Sequence, residues 1–231
     1  VEILSEGATL QILNTSTINI KDGVKIVLYG ASGVGKTRIC STAPKPFIFS
    51  AENGLLSLRK EKIAYADITT YKQLADAYMW ALQSAEAKKY DTFCLDSLSE
   101  IAEVVLAEEL KKTPDPRKAY GETQQQMYKI IRAFRDLPSK HIVMIAKEFL
   151  SESGLVKCAN PIMPSEKLQA QLPYFFDLVL HMFVGNNPST GERYTAIHTS
   201  STSTWQAKDR SGNLDAIEYP NLAAIFTKAA A

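Results

Sequence analysis

Short apolar runs and stretches of helical periodicity alternate along most of the chain, the pattern of strands and helices taken in turn. KIVLY (25–29) reads as a buried strand ending at Gly30, and TRICSTA (37–43) leaves room only for a brief helix before Pro44 and Pro46. PFIFSA (46–51) predicts a second strand. YKQLADAYMWALQSAEAKK (71–89) sets Leu74, Ala77, Tyr78, Ala81 and Leu82 on one helical face, with Thr70 and Gln73 spaced as a capping box. DTFCLD (91–96) predicts a third strand. Ser97 and Glu100 then repeat the capping signal and open a helix burying Ile101, Val104, Val105 and Leu110. TPDPRKAYG (113–121) breaks the pattern, and a helix carrying Met127, Ile130, Ile131, Phe134 and Leu137 follows it. HIVMIA (141–146) is a fourth strand, and KEFLSESGLVKCANPIMPSEK (147–167) is expected to be the longest irregular stretch. DLVLHMFV (177–184) and ERYTAIH (192–198) predict strands around the turn GNNPSTG, and a short helix ends the tail. Before all this, TLQILNTSTINI alternates weakly, as an irregular extension or one strand would. With no repeats and no clear linker, the expectation is one α/β domain over residues 22–231 after an extension of residues 1–21. Its sheet is expected to be mostly parallel and covered by helices on both faces.

Composition narrows the class without choosing a function. A chain of 231 residues that is 45% hydrophobic can bury such a sheet, and a formal charge of +1 gives no global pull toward nucleic acid or membrane. Cys40, Cys94 and Cys158 form no CxxC pair, which suits a reducing cytoplasm (a host's, if the chain is phage-encoded). Cys40 and Cys94 are expected to pack as small hydrophobes. His141, His181 and His198 lack metal-ligand spacing and read as single core or strand positions. No apolar stretch approaches the roughly 18 residues of a membrane helix. VEILSEGATL has neither the basic nor the apolar segment of a secretory leader, so none is expected there.

The chemistry begins with GASGVGKT (30–37), which fits G-x-x-x-x-G-K-[ST] between a strand and a helix. Chance matches in a chain this long number on the order of 0.01, so the motif is read as a phosphate cradle. Gly30, Ala31, Ser32, Gly33, Val34 and Gly35 would curl backbone N–H groups around a β-phosphate, with Arg38 just beyond them. Lys36 would reach the β- and γ-phosphates and the Thr37 hydroxyl would coordinate Mg²⁺. Asp96 ends an apolar strand, where a carboxylate can hold that metal through water. The residue after Asp96 is Ser97, a helix cap, so a water-activating carboxylate must come from elsewhere. FIFSAENG (47–54) offers Glu52 at the end of the second strand. Glu52 reads either as that base or as an acidic residue favouring the start of a helix, and its place at the strand end favours the base.

The order GASGVGKT, FIFSAENG, DTFCLDS, HIVMIAK resembles the RecA-like P-loop ATPase core over roughly residues 22–228. The short first helix and PKPFIFSAENG look like the phage-type members of that group, nucleotide-binding proteins of recombination and annealing. The resemblance implies ATP hydrolysis with Glu52 as base, Lys36 and Thr37 on phosphate and metal, and Asp96 on Mg²⁺. RecA-type proteins carry an amide at the end of the fourth strand; this chain has Lys147 there, and the coupling mechanism does not carry over unchanged.

The resemblance also implies two loops for single-stranded DNA, near 111–120 and 148–166. The first would offer Lys111, Lys112, Arg117, Lys118 and Tyr120, the second Phe149 and Lys157. The first reads equally as a solvated connection, whereas the length of the second favours function. In AKDRSG (207–212), Lys208 and Arg210 would reach a neighbouring subunit's site as arginine-finger-like groups, which implies a homo-oligomer, or would end a charged hairpin. The leading expectation is an ATPase acting on single-stranded DNA in recombination or annealing. The alternative is a nucleotide-dependent switch or assembly ATPase with little DNA binding. No guanine-reading N/T-K-x-D motif is present, and Arg59 is a candidate to stack on the base.

Overall fold

The structure, a computed structural model, describes residues 23–52, 54–153 and 156–231. The run TLQILNTSTINI and the extension expected over residues 1–21 lie outside them. Five strands follow the order of the sequence motifs: β1 Lys25–Gly30, β2 Pro46–Ser50, β3 Ala64–Asp67, β4 Thr92–Asp96 and β5 His141–Ser153. Then come β6 Val156–Pro161, β7 Leu178–Asn186, β8 Arg193–His198, β9 Lys208–Asp209 and β10 Ile217–Glu218. The helices are α1 Lys36–Ile39, α2 Tyr71–Gln83, α3 Leu98–Lys112, α4 Pro116–Arg135, α5 Glu166–Gln171 and α6 Leu222–Ala229. Among the described residues these strands form one sheet in the order β10-β8-β7-β1-β5-β4-β2-β3, with β6 on β5 and β9 on β7. From β7 to β3 every neighbouring pair is parallel. The α/β class with a mostly parallel sheet is therefore what the chain adopts.

Strand alternation sorts the core into two layers. Val27, Phe47, Phe49, Phe93, Leu95 and Met144 face Leu74, Ile101, Val105, Met127 and Phe134 of α2, α3 and α4. Ile26, Leu28, Ile48, Cys94 and Ile145 face Ile39, Cys40, Ile225 and Phe226 on the other side. Cys40 and Cys94 are buried there, as the sequence predicts. Among the described residues no helix is long and apolar enough to cross a membrane.

Local signals set the helix boundaries. Thr70 and Gln73 form the reciprocal capping box that starts α2. At α3 only half of the expected box forms: Ser97 accepts from the Glu100 N–H, while the Glu100 carboxylate turns to Lys147 instead. Leu82 and Leu110 are exposed rather than buried, and Val104 is half-buried, because each helical face ends short of them. Strand β3 escaped the sequence reading. Its residues, AYAD, alternate half-buried and exposed at the sheet's edge, a signal too weak to stand out from a loop.

Two expected loops are regular structure. Asp115 caps α4 with Pro116 in its first turn, so the breaker signal marks a helix start and only residues 113–115 separate α3 from α4. Strand β5 runs on past Ala146 and pairs antiparallel with β6, from Glu148↔Pro161 to Ser153↔Val156. The stretch 147–167 is thus mostly a two-stranded arm.

Candidate active site

The parallel strands deliver their C-terminal ends to one edge, where the sequence's candidate residues collect. Strand β1 stops at Gly30, whose backbone passes so near β7 that an added Cβ would sit 2.3 Å from the Met182 carbonyl oxygen. The loop then turns through Gly33 and Gly35, at φ +79° and +102°, conformations that an L-residue adopts only under strain. Ala31, Ser32 and Gly33 are exposed, and nothing lies within 4 Å of where a Gly33 Cβ would be, so the curl is open on its outer side. Lys36 folds back over this curl and donates to the Gly30 and Ala31 carbonyls, each at 2.8 Å. Burial lowers its proton affinity, against the attraction of Glu52, Asp96 and Glu148.

On the same face, the Thr37 hydroxyl donates to Asp96 Oδ2 at 2.6 Å. Asp96 is buried, and burial pushes its carboxyl up to about 6 despite that hydrogen bond. Ser50 stands in register with Asp96 across β2 and β4, and its buried hydroxyl has no hydrogen-bond partner among the described residues. A hydroxyl, a buried carboxylate and an orphaned second hydroxyl are a donor set that suits a hydrated Mg²⁺, whose water ligands need oxygen acceptors and close neighbours.

The Ala51 N–H donates to the Asp96 carbonyl at 2.6 Å, extending the β2–β4 pairing and holding Glu52 beside the start of α3. There the Ser97 hydroxyl donates to Glu52 Oε1 at 2.6 Å. Lys147 Nζ lies 3.8 Å from the same oxygen and pairs with the Glu100 carboxylate as well. Lys147 stands opposite Gly30 in the β1–β5 ladder, so the cradle, Asp96, Glu52 and Lys147 share one edge. Sequence reasoning did not identify Ser97 as a contact of Glu52; its position after Asp96 read only as a cap. Nor did it identify Lys147 as the link between two carboxylates.

A cleft of about 810 Å³ opens beside the cradle, lined by Val34, Gly35, Arg38, Tyr194, Tyr219 and Asn221 among others. Glu61 rather than Arg59 reaches it from the segment after β2. Tyr194 and Tyr219 had no sequence signal, because β8 and β10 are brought to this face only by antiparallel pairing at the end of the sheet.

The remaining candidates lie elsewhere. Lys111 and Lys112 end α3 and pair with Glu108 and Glu109 of that helix, while Arg117, Lys118 and Tyr120 sit in the first turns of α4. The expected first basic loop is therefore replaced by two helix ends. Phe149 and Lys157 are exposed on the β5–β6 arm. Lys208 donates to the Pro173 carbonyl and Arg210 to Asp177, beside the N-terminal end of β7 and away from the cradle edge. In this position they do not reach the cradle of their own chain.

The family described as the AAA domain matches residues 22–211. No curated protein matches the chain. Among solved structures, a crystal structure of the KaiC-like protein PH0186 from the hyperthermophilic archaeon Pyrococcus horikoshii OT3 is similar at 15% identity. The match covers 77% of this chain and 78% of that one, with a TM-score of 0.38, a likeness that bears on neither reaction nor partner.

Proposed function

The chain belongs to the AAA domain family, a P-loop family, and from that premise we propose that it hydrolyses ATP with Glu52 as the base that activates water. The observation that carries this reading is the contact set of Glu52. Its Oε1 is held by the Ser97 hydroxyl one residue after Asp96, with the Lys147 ammonium 3.8 Å away. A carboxylate that only began a helix would not be tied to the residue that directly follows the aspartate proposed for the metal. Held in this way, Glu52 has its other oxygen left to accept a proton.

Lys36 exchanges the Gly30 and Ala31 carbonyls for phosphate oxygens when nucleotide enters. Thr37 and Asp96 would hold Mg²⁺. The metal, when bound, offsets phosphate charge and orients the γ-phosphoryl group. Water then attacks the γ-phosphorus, the bond to the bridging oxygen breaks, and the water's proton passes to Glu52. The nucleoside lies in the cleft beside Val34 and Gly35, where Tyr194 and Tyr219 offer rings to its base.

Single-stranded DNA is the proposed partner, in recombination or annealing, bound along the β5–β6 arm where Phe149 and Leu150 are exposed and Lys157 adds charge. A homo-oligomer would bring Lys208 and Arg210 of one copy to the next copy's cradle. A second reading, a nucleotide-dependent switch with little DNA binding, is favoured by the helical, ion-paired state of Lys111 and Lys112. Phosphate release by the wild type and Glu52→Gln, each with and without single-stranded DNA, separates these. Glu52→Gln is expected to bind ATP yet lose turnover, and DNA to stimulate the wild type. Turnover indifferent to DNA would leave the switch, and an unimpaired Glu52→Gln would remove the base.

A further inference from the structure

Three polar side chains run in a line beneath the cradle, and the hydrolytic reading uses none of them. Glu148 follows Lys147 in β5 and, by strand alternation, leaves on the opposite face. Its Oε2 lies 3.0 Å from His181 Nε2 on β7, and His181 Nδ1 lies 3.1 Å from His198 Nδ1 on β8. His181 stacks on Tyr29, the residue before Gly30, with ring centroids 5.0 Å apart. His198 is sandwiched between Phe183 and Trp205, at 3.9 and 3.8 Å. The groups facing His181 are thus the Tyr29 phenol from β1, Glu148 from β5 and His198 from β8, with Cys158 of β6 beyond Tyr29.

The hydrogen-bond directions are fixed by the carboxylate. Glu148 only accepts, so neutral His181 carries its proton on Nε2 and accepts on Nδ1; His198 must then donate from Nδ1 and leave Nε2 bare. One further proton entering at His198 Nε2 lets the Nδ1 proton cross to His181. The result is neutral His198, protonated on Nε2 alone, and an imidazolium at His181 facing the Glu148 carboxylate.

We propose that Glu148, His181 and His198 form a proton relay whose affinity for one solvent proton rises when nucleotide phosphates enter the cradle, so that in acidic solution, near the pair's midpoint, occupancy is reported at Trp205 and the β5–β6 arm. The inference rests on the nucleotide-binding reading of the cradle. Burial holds both imidazoles below their ordinary range, His198 at about 4, so the relay is discharged at neutral pH in the nucleotide-free chain. Glu148 is among the carboxylates whose field acts on Lys36. Phosphate charge drawn to Lys36 removes that attraction and adds negative potential at Glu148, and both effects favour the imidazolium.

The chain has three histidines, so ¹³C-histidine NMR of the unsubstituted protein resolves each titration. ADP with Mg²⁺ is expected to raise the midpoint of the His181–His198 pair by roughly half a unit to one unit, leaving His141 unmoved. Glu148→Gln should abolish the rise. Equilibrium dialysis with labelled ADP, run in parallel, keeps the two readings apart. Binding without a midpoint shift overturns the relay alone, and absence of binding overturns the cradle reading and the relay together.

Discussion

Ser97→Ala distinguishes a positioned base from a merely adjacent carboxylate. The Ser97 hydroxyl has two jobs: it accepts from the Glu100 N–H at 3.3 Å as the cap of α3, and it donates to Glu52 Oε1 at 2.6 Å. Losing the cap costs about 1 kcal/mol. The hydrogen bond to a carboxylate would add about 1.5–3 kcal/mol if buried, but the Glu52 side chain is 33% exposed and water replaces most of it. The net loss is therefore near the cap alone, lowering Tm by about 2–4 °C in a chain of this size. Turnover should suffer more. Without Ser97, Lys147 at 3.8 Å is, among the described residues, what still restrains Glu52 Oε1, and misplacing a reacting group by an ångström can cost up to about 10²-fold. A fall in kcat of tenfold or more is expected, with little change in ATP affinity and recovery in Ser97→Thr. The assay is phosphate release at saturating ATP and Mg²⁺ beside thermal unfolding of the same samples. A lowered Tm with kcat within about twofold of wild type would refute the reasoning and reduce Ser97 to a helix cap.

Asp96→Asn should stabilise the nucleotide-free chain at neutral pH while abolishing Mg²⁺-dependent turnover. The folded carboxyl, at about 6, lies above its ordinary 3.8, so ionisation destabilises the native state as pH rises between those values, by about 3 kcal/mol in all. Urea unfolding should show the variant's advantage at pH 7 and its disappearance below pH 4, and equal stabilities at pH 7 would contradict this. For DNA, Lys111, Lys112, Arg117 and Lys118 replaced together should leave the salt slope of single-strand binding unchanged, whereas Phe149→Ala should weaken binding several-fold, by roughly 1 kcal/mol or more. The opposite pattern would return the interface to the α3–α4 junction.

The sequence made the cradle, the strands leading into it and the buried faces legible because each rests on local rules. A glycine-rich turn between strand and helix, alternating apolar residues and capping residues all act within a few positions. What stayed illegible was decided by partners distant in the chain. KEFLSES carries the charges of a loop, yet it pairs with β6 into an arm anchored through Glu148 on His181, 33 residues away. TPDPRKAYG held the right punctuation with the wrong meaning: its second proline opens a helix. His181 and His198 looked solitary because a strand pattern says which face a residue takes, not which neighbour it meets there.

The end of β5 is where these threads join, and Lys147→Gln tests it. Consecutive residues of a strand leave on opposite faces, so Lys147 engages Glu52 and Glu100 while Glu148 engages His181. The resemblance to RecA-type proteins implies an amide at this place. Were Lys147 simply a stand-in for that amide, glutamine would supply it and turnover would hold or rise. The contacts argue otherwise. Glu52 and Glu100 both converge on Lys147, whose proton affinity is raised chiefly by its hydrogen bond to Glu100. A neutral amide would leave two carboxylates facing each other with no cation between them. Glu52 would then be displaced from the water it is to activate, and the negative potential near the γ-phosphate would rise. Lys147→Gln should lower kcat and weaken ATP more than ADP, as Lys147→Met should, and Lys147→Arg should recover part of both. Wild-type turnover in Lys147→Gln would mean that the charge is incidental, and that Glu52 is held by Ser97 alone.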